Sequence, residues 1–251
     1  MCVLAFAWHA HPRWSLIVAG NRDEFHERPA APLARWSRDV LIAGKDLQSG
    51  GTWLGVSEAG RFAVVTNLRG FGPPAPARTS RGALVTRMLA DPAEDPLAVD
   101  LDDYNPFNLI VADPARAWFL TNRPEPDGLL LAPGLYGLSN SRLDEPWPKT
   151  LRLKSVLTDW IVGEAREPER LLDALGERAL PDVGLHAAPQ SDVPQEPALS
   201  PVFILDPIYG TRCSTVVAID RSGHGWIIER RYAAEGSVTG ETAVDFPWPM
   251  R

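Results

Sequence analysis

A cysteine at position 2 is the residue of this chain best placed to do chemistry. Removal of the initiator methionine leaves Cys2 with a thiol and a free α-amine on one residue. An α-amine titrates near ~7.7–8.0, so at neutral pH it can act as the base for its own nucleophile. The polar tetrad Asn21-Arg22-Asp23-Glu24 follows an apolar run, Trp14 to Ala19. That run is expected to pair as a hairpin with an earlier one, Cys2 to His9, across a turn at Ala10 to Arg13. In such a hairpin the end of the second strand lies beside the start of the first, so Arg22 and Asp23 are expected next to Cys2. A guanidinium there favours the thiolate, and a carboxylate holds the α-ammonium. Neighbours in a regular strand face opposite ways, so both side chains reach Cys2 only if the strand breaks at the tetrad. Glu24 competes with Asp23 for the acidic role.

Composition narrows the function classes. The chain has 251 residues, with 25 basic against 32 acidic side chains and a net charge of −7. It lacks the basic footprint of a nucleic-acid binder. Two cysteines make no disulfide framework. Cys213 lies in an apolar run and reads as core. His9 and His11 have strand-like spacing but no third ligand nearby, so no metal site is expected. There is neither a Walker loop nor a GxGxxG, and no cofactor is implied. No apolar run reaches ~18 residues, so no transmembrane segment is expected, and the N-terminus does not read as a signal peptide. The expected location is cytoplasmic.

The elements that must position these residues are mostly strands. Short β-like pieces are expected at Val40 to Ala43, Thr52 to Ser57, Arg61 to Thr66, Phe107 to Ala112, Ala117 to Thr121, Leu129 to Leu131, Leu135 to Leu138, Arg212 to Ile219 and Trp226 to Tyr232. Helical spacing predicts helices from Ser80 to Ala90, over 147–162 and over 168–179. Residues 25–39, 71–79 and 181–200, rich in proline, read as loops. Hairpins at both ends with helices between favour an α+β fold with antiparallel sheets. Cys2 is expected to open a central strand, in a single domain spanning 1–251.

Further stretches extend the pattern: Gly51-Thr52-Trp53-Leu54-Gly55, Val65-Thr66-Asn67 with Arg69, Asn105-Pro106-Phe107-Asn108-Leu109, Gly137-Leu138-Ser139-Asn140 and Tyr209-Gly210-Thr211-Arg212-Cys213-Ser214-Thr215. With Cys2 and the tetrad, in this order and nearly end to end, they resemble the NRDE family of transport and Golgi organization protein 2 homologues. That pattern is in turn similar to N-terminal nucleophile hydrolases with a leading cysteine. The resemblance implies an αββα sandwich of two antiparallel sheets between helical layers. It implies Cys2 as nucleophile, Arg22 and Asp23 beside it, Asn67 and Asn140 as oxyanion donors or orienting groups, and Arg212 as a distal arginine. The implied activity is hydrolysis or acyl transfer on an amide or thioester of a small hydrophobic metabolite. The alternative implied by the family is a carrier for haem or acyl-CoA-type lipid metabolites in the same pocket.

Overall fold

The computed structural model describes residues 2–36, 40–185, 191–192, 197 and 199–250. Among them are thirteen strands in two antiparallel sheets, with three α-helices on the outer faces. In the first sheet, β1 (Cys2–Trp8) lies between β10 (Gly134–Leu138) and β2 (Trp14–Phe25), followed by β11 (Tyr209–Asp220), β12 (His224–Tyr232) and β13 (Val238–Pro247). The second sheet is a meander in chain order: β3 (Ala30–Arg35), β4 (Leu41–Asp46), β5 (Leu54–Ser57), β6 (Arg61–Asn67), β7 (Phe107–Ala112), β8 (Ala117–Thr121) and β9 (Asp127–Leu130).

The continuous apolar run of β1 has a simple cause: both faces of its sheet are covered. Leu4, Phe6 and Trp8 point between the sheets, against Val56, Phe62 and Val64. Val3 and Ala5 point outward, beneath Leu153 and Leu157 of α2 (Pro148–Val162) and Leu171 and Leu175 of α3 (Leu171–Leu175). On the far side, Leu84, Val85, Met88 and Leu89 of α1 (Arg81–Ala90) cover the second sheet. The layers therefore run helix, sheet, sheet, helix. Period-two alternation then puts Cys2 on the face of Leu4 and Phe6, between the sheets.

Several expectations need correction. Residues 25–39 are not all loop, because β3 forms there. Its Pro32 falls where the β3–β4 register shifts, on the edge strand, where a missing N–H is tolerated. Residues 37–39 lie outside the described residues. The helix over 168–179 is reduced to a 3-10 turn at Pro168–Arg170 and the five-residue α3, which stops at Gly176. β13 had no expected counterpart. β1 is second from the edge of its sheet, not central. Of the loop over 181–200, residues 186–190, 193–196 and 198 lie outside the described residues; the described remainder forms neither helix nor strand.

One close approach ties α1 to the second sheet. Ser80 caps the helix, its Oγ accepting from the Ala83 N–H at 3.4 Å. The N–H of Thr52 donates to the Gly82 carbonyl at 3.2 Å. A Cβ on Gly51 would stand 2.2 Å from the Gly82 carbonyl carbon. Gly51→Ala must therefore push the start of α1 outward. We expect a loss of about 1–3 kcal/mol, the usual cost of overpacking, read as a lower urea midpoint. An unchanged midpoint would contradict this contact.

Candidate functional site

The register brings the chemistry-bearing residues together. Cys2 pairs with Arg22 across β1 and β2, and Arg22 pairs with Cys213 across β2 and β11. The three side chains form one row across three strands and border a cavity of about 770 Å³ between the sheets. β2 runs unbroken through the tetrad, contrary to the break expected there. The irregularity sits in its neighbour: β11 bulges between Thr211 and Cys213, which leaves Arg212 out of register and on the cavity wall.

Cys2 is held by its main chain. Its N–H donates to Asn140 Oδ1 at 3.2 Å, and its carbonyl accepts from Ser139 Oγ at 2.7 Å. Asn140 is itself tied down, its Nδ2 donating to the Asn67 carbonyl at 2.8 Å and its carbonyl accepting from the Arg69 N–H at 3.1 Å. Asn140 thus stands behind Cys2, while Asn67 borders the cavity. In the sequence Ser139 stands out only as part of a motif; its contact with Cys2 depends on β10 lying beside β1.

The four tetrad residues part ways. Asn21 faces the helices, where its Nδ2 donates to the carbonyls of Leu175 (2.8 Å) and Val202 (2.9 Å) and its Oδ1 accepts from Ser214 Oγ (2.6 Å). It is a clamp on the outer layer. Asp23 is 2% exposed, and its Oδ1 accepts from Thr211 Oγ1 at 2.7 Å. Arg22 does not pair with Asp23. Its Nη2 lies 3.4 Å from Glu24 Oε2 and 3.3 Å from Asp46 Oδ2. Asp46 also takes Arg28 Nε at 2.6 Å. Asp23 is therefore the buried acid beside Cys2, and Glu24 belongs to an arginine network. Arg212 Nη1 donates to the carbonyls of Phe25 (2.6 Å) and Arg28 (3.0 Å).

Asp46 is the site residue that spacing could not reveal, since it reaches Arg22 from the opposite sheet. Burial alone would raise its carboxyl. The hydrogen bonds from Arg28 and the Ser49 N–H, with the charges of Arg28 and Arg22, outweigh this and hold it below 3.8. The thiols behave otherwise. Burial pushes Cys2 up, and the chain's positive N-terminus and Arg22 only partly oppose it. Arg22 does favour the thiolate, as expected, but desolvation outweighs it in the encoded chain, so the thiol is raised on balance. Burial, followed by Glu229, also pushes Cys213 up. Cys213 is buried with the core, as expected, and it also borders the cavity.

With this geometry in hand, the chain can be set beside known proteins. A family model described as Transport and Golgi organisation 2 matches residues 1–234. The human Transport and Golgi organization protein 2 homolog is 34% identical, over 92% of each chain. The bovine homolog is also 34% identical, over 96% of this chain and 97% of its own. Among solved structures, a C2A mutant of conjugated bile acid hydrolase from Clostridium perfringens superposes with a TM-score of 0.55 at 9% identity, covering 98% of this chain and 92% of that one. A Caenorhabditis elegans N-acylethanolamine-hydrolyzing acid amidase ortholog gives 0.50 at 12% identity, covering 86% and 92%. At such identities these structures share the fold, an α+β sandwich of the N-terminal nucleophile hydrolase kind.

The Asp46 network predicts a pH signature. A carboxyl held below its ordinary value stabilises the fold above about 3.8 and loses that contribution as pH falls through its folded value. Asp46→Asn should lower unfolding free energy at neutral pH by about 1–2 kcal/mol, a charge-assisted hydrogen bond discounted for partial exposure. The gap to the parent should close in acid. Urea titrations across that range check it, and a gap that persists unchanged below 3.8 would be the wrong result.

Proposed function

The chain belongs to the Transport and Golgi organisation 2 family, and from that premise we propose that it is an N-terminal cysteine hydrolase or acyltransferase, active once Met1 is removed, on an amide or thioester of a small metabolite. The observation that carries this reading is the two-point grip on the Cys2 main chain by Asn140 and Ser139, with the side chain bordering a cavity beside Arg22 and Asp23. A packing cysteine needs no such hold, and buried polar groups are costly to assemble for packing alone.

In the processed chain the nitrogen that donates to Asn140 is the α-amine. That hydrogen bond fixes its orientation and leaves a lone pair for the thiol. The thiol proton passes to this amine as sulfur attacks the acyl carbon. The carbonyl electron pair moves to oxygen, and the Asn67 amide is the cavity-wall group assigned to stabilise that charge. Collapse of the adduct breaks the bond to the leaving amine or thiol, which takes the proton from the α-ammonium. Water, or a second acceptor in acyl transfer, then gives its proton to the amine as it attacks the thioester carbonyl, and the departing Cys2 sulfur takes the proton back from the ammonium. Asp23 holds the ammonium between these steps.

The carrier reading draws on a different observation. With Met1 retained, burial pushes the Cys2 thiol up, and an unionised thiol without its own α-amine is a poor nucleophile. Such a chain keeps the cavity without the chemistry.

Steady-state assays of processed protein on acyl-CoA thioesters and N-acyl amides, with haem binding measured alongside, separate the two. Cys2→Ser should abolish turnover and leave ligand affinity nearly unchanged. Asn67→Ala should lower kcat by about 10²–10³-fold with little change in KM. Tight binding without any Cys2-dependent turnover across that panel would favour the carrier.

A further inference from the structure

Just beyond β6 the chain presents three successive backbone N–H groups to one carboxylate. Gly70 and Phe71 donate to Asp192 Oδ2 at 2.8 and 3.2 Å, and Gly72 donates to Asp192 Oδ1 at 3.2 Å. Gly70 and Gly72 have φ of +84° and +88°, left-handed backbone that glycine adopts freely. A Cβ on Gly72 would meet no atom within 4 Å, so conformation rather than space calls for glycine there. Successive N–H groups in such a turn make a concave anion seat, a device that also captures peptide carboxylates. Here the seat is filled from a remote part of the chain, since Asp192 lies 120 residues beyond Gly72.

The same turn supports the grip on Cys2. Asn67 and Arg69, on its β6 side, both hold Asn140. The Asn67 carbonyl accepts from Asn140 Nδ2 at 2.8 Å, and the Arg69 N–H donates to the Asn140 carbonyl at 3.1 Å. Asn140 Oδ1 in turn accepts from the Cys2 nitrogen. The Arg69 side chain is tied close to Asp192 in sequence, its Nη2 donating to the Pro197 carbonyl at 2.9 Å. The far end of the loop is anchored separately. Asn105 Oδ1 accepts from the Ala75 N–H at 2.8 Å, and its Nδ2 donates to the Ala75 carbonyl at 3.0 Å.

Residues 70–72 belong to no helix or strand, so the carboxylate is what fixes their N–H groups. We propose that Gly70, Phe71 and Gly72 form an anion seat whose occupant, the Asp192 carboxylate, is a positioning group for the α-amine of Cys2, acting through Arg69 and Asn140. This rests on the hydrolase reading, in which Met1 is removed and the freed amine is the base. It deepens that reading by giving the amine a control outside the cavity. With the seat filled, Asn140 is held and holds the amine. With the seat empty, the turn relaxes and the amine leaves Asn140.

The processed protein is tested with cyanobenzothiazole, which forms a stable ring only with an N-terminal aminothiol. Sulfur adds to the nitrile carbon, the α-amine closes on the same carbon, and ammonia leaves. Ring closure takes the amine off Asn140, so the grip slows it, and Cys213 has no α-amine to close a ring. Asp192→Ala should condense about tenfold faster than the parent, the scale of one lost charge-assisted contact. Acetate at constant ionic strength should refill the seat and restore the slow rate, while chloride should not, and the parent should respond to neither. Asp192→Asn keeps the size of the side chain and should also accelerate condensation, which covers a poorly folded alanine variant. Asn105→Ala frees the far end of the same loop and should keep the parent's rate. Parent-like rates in both Asp192 variants, an acceleration that acetate leaves unchanged, or an equal acceleration in Asn105→Ala would each overturn the proposal. No substrate is involved, so failure of the hydrolase reading shows separately, as absent Cys2-dependent turnover in the parent.

Discussion

The arrangement depends on a main-chain constraint, the capture of Cys2 between the Asn140 carboxamide and the Ser139 hydroxyl. Both partners lie just beyond β10, so the grip exists only because β10 adds to the free side of β1. The β1–β2 register then decides everything else at the site. It places Arg22 opposite Cys2, and the β2–β11 register places Cys213 on the other side of Arg22. A slip of β1 by one residue would turn Cys2 away from Arg22 and towards the helices. Leu4, Phe6 and Trp8 of β1, which fill the space between the sheets, forbid that slip, so the hydrophobic core sets the position of the thiol.

The second constraint acts between the sheets. Arg22 belongs to the first sheet and Asp46 to the second, and their ion pair joins the two sheets at the cavity wall. Glu229 makes a similar crossing when it accepts from Leu33 of β3. Two sheets packed only by apolar side chains would close on one another at this end. Paired charges there keep the gap polar while satisfying most of their own hydrogen bonds. Around the cavity, Asp46 and Glu24 are matched to Arg22 and Arg28, and Glu229 to Arg231.

Much of the fold was legible because its strands are doubly covered and its helices are well punctuated. The uninterrupted apolar run of β1, the hairpin of β7 and β8, the Ser80 cap of α1 and the Leu153/Leu157 spacing of α2 all carry local signals. β3 was hidden because prolines suggest loops, and edge strands accept them. β13 is mostly exposed or half-buried and carries little apolar pattern. The site was legible where neighbours in the hairpin define it, as for Cys2, Arg22 and Asp23. Resemblance supplied Asn67, Asn140 and Arg212. Asp46 left no trace in the sequence, because its contact with Arg22 is made between sheets and follows no spacing along the chain. The division of labour within Asn21-Arg22-Asp23-Glu24 was also hidden: alternation sends Asn21 to the helices, but only packing shows what it holds there.

The central claim is that Cys2, freed of Met1, forms a covalent acyl intermediate. Intact mass of the processed protein, acid-quenched within the first turnovers on an acyl thioester or N-acyl amide, tests it most directly. The account predicts a mass increase of one acyl group that maps to the N-terminal peptide and is absent from Cys2→Ala. Turnover of the substrate with no such increment, or an increment mapped to Cys213, would contradict it.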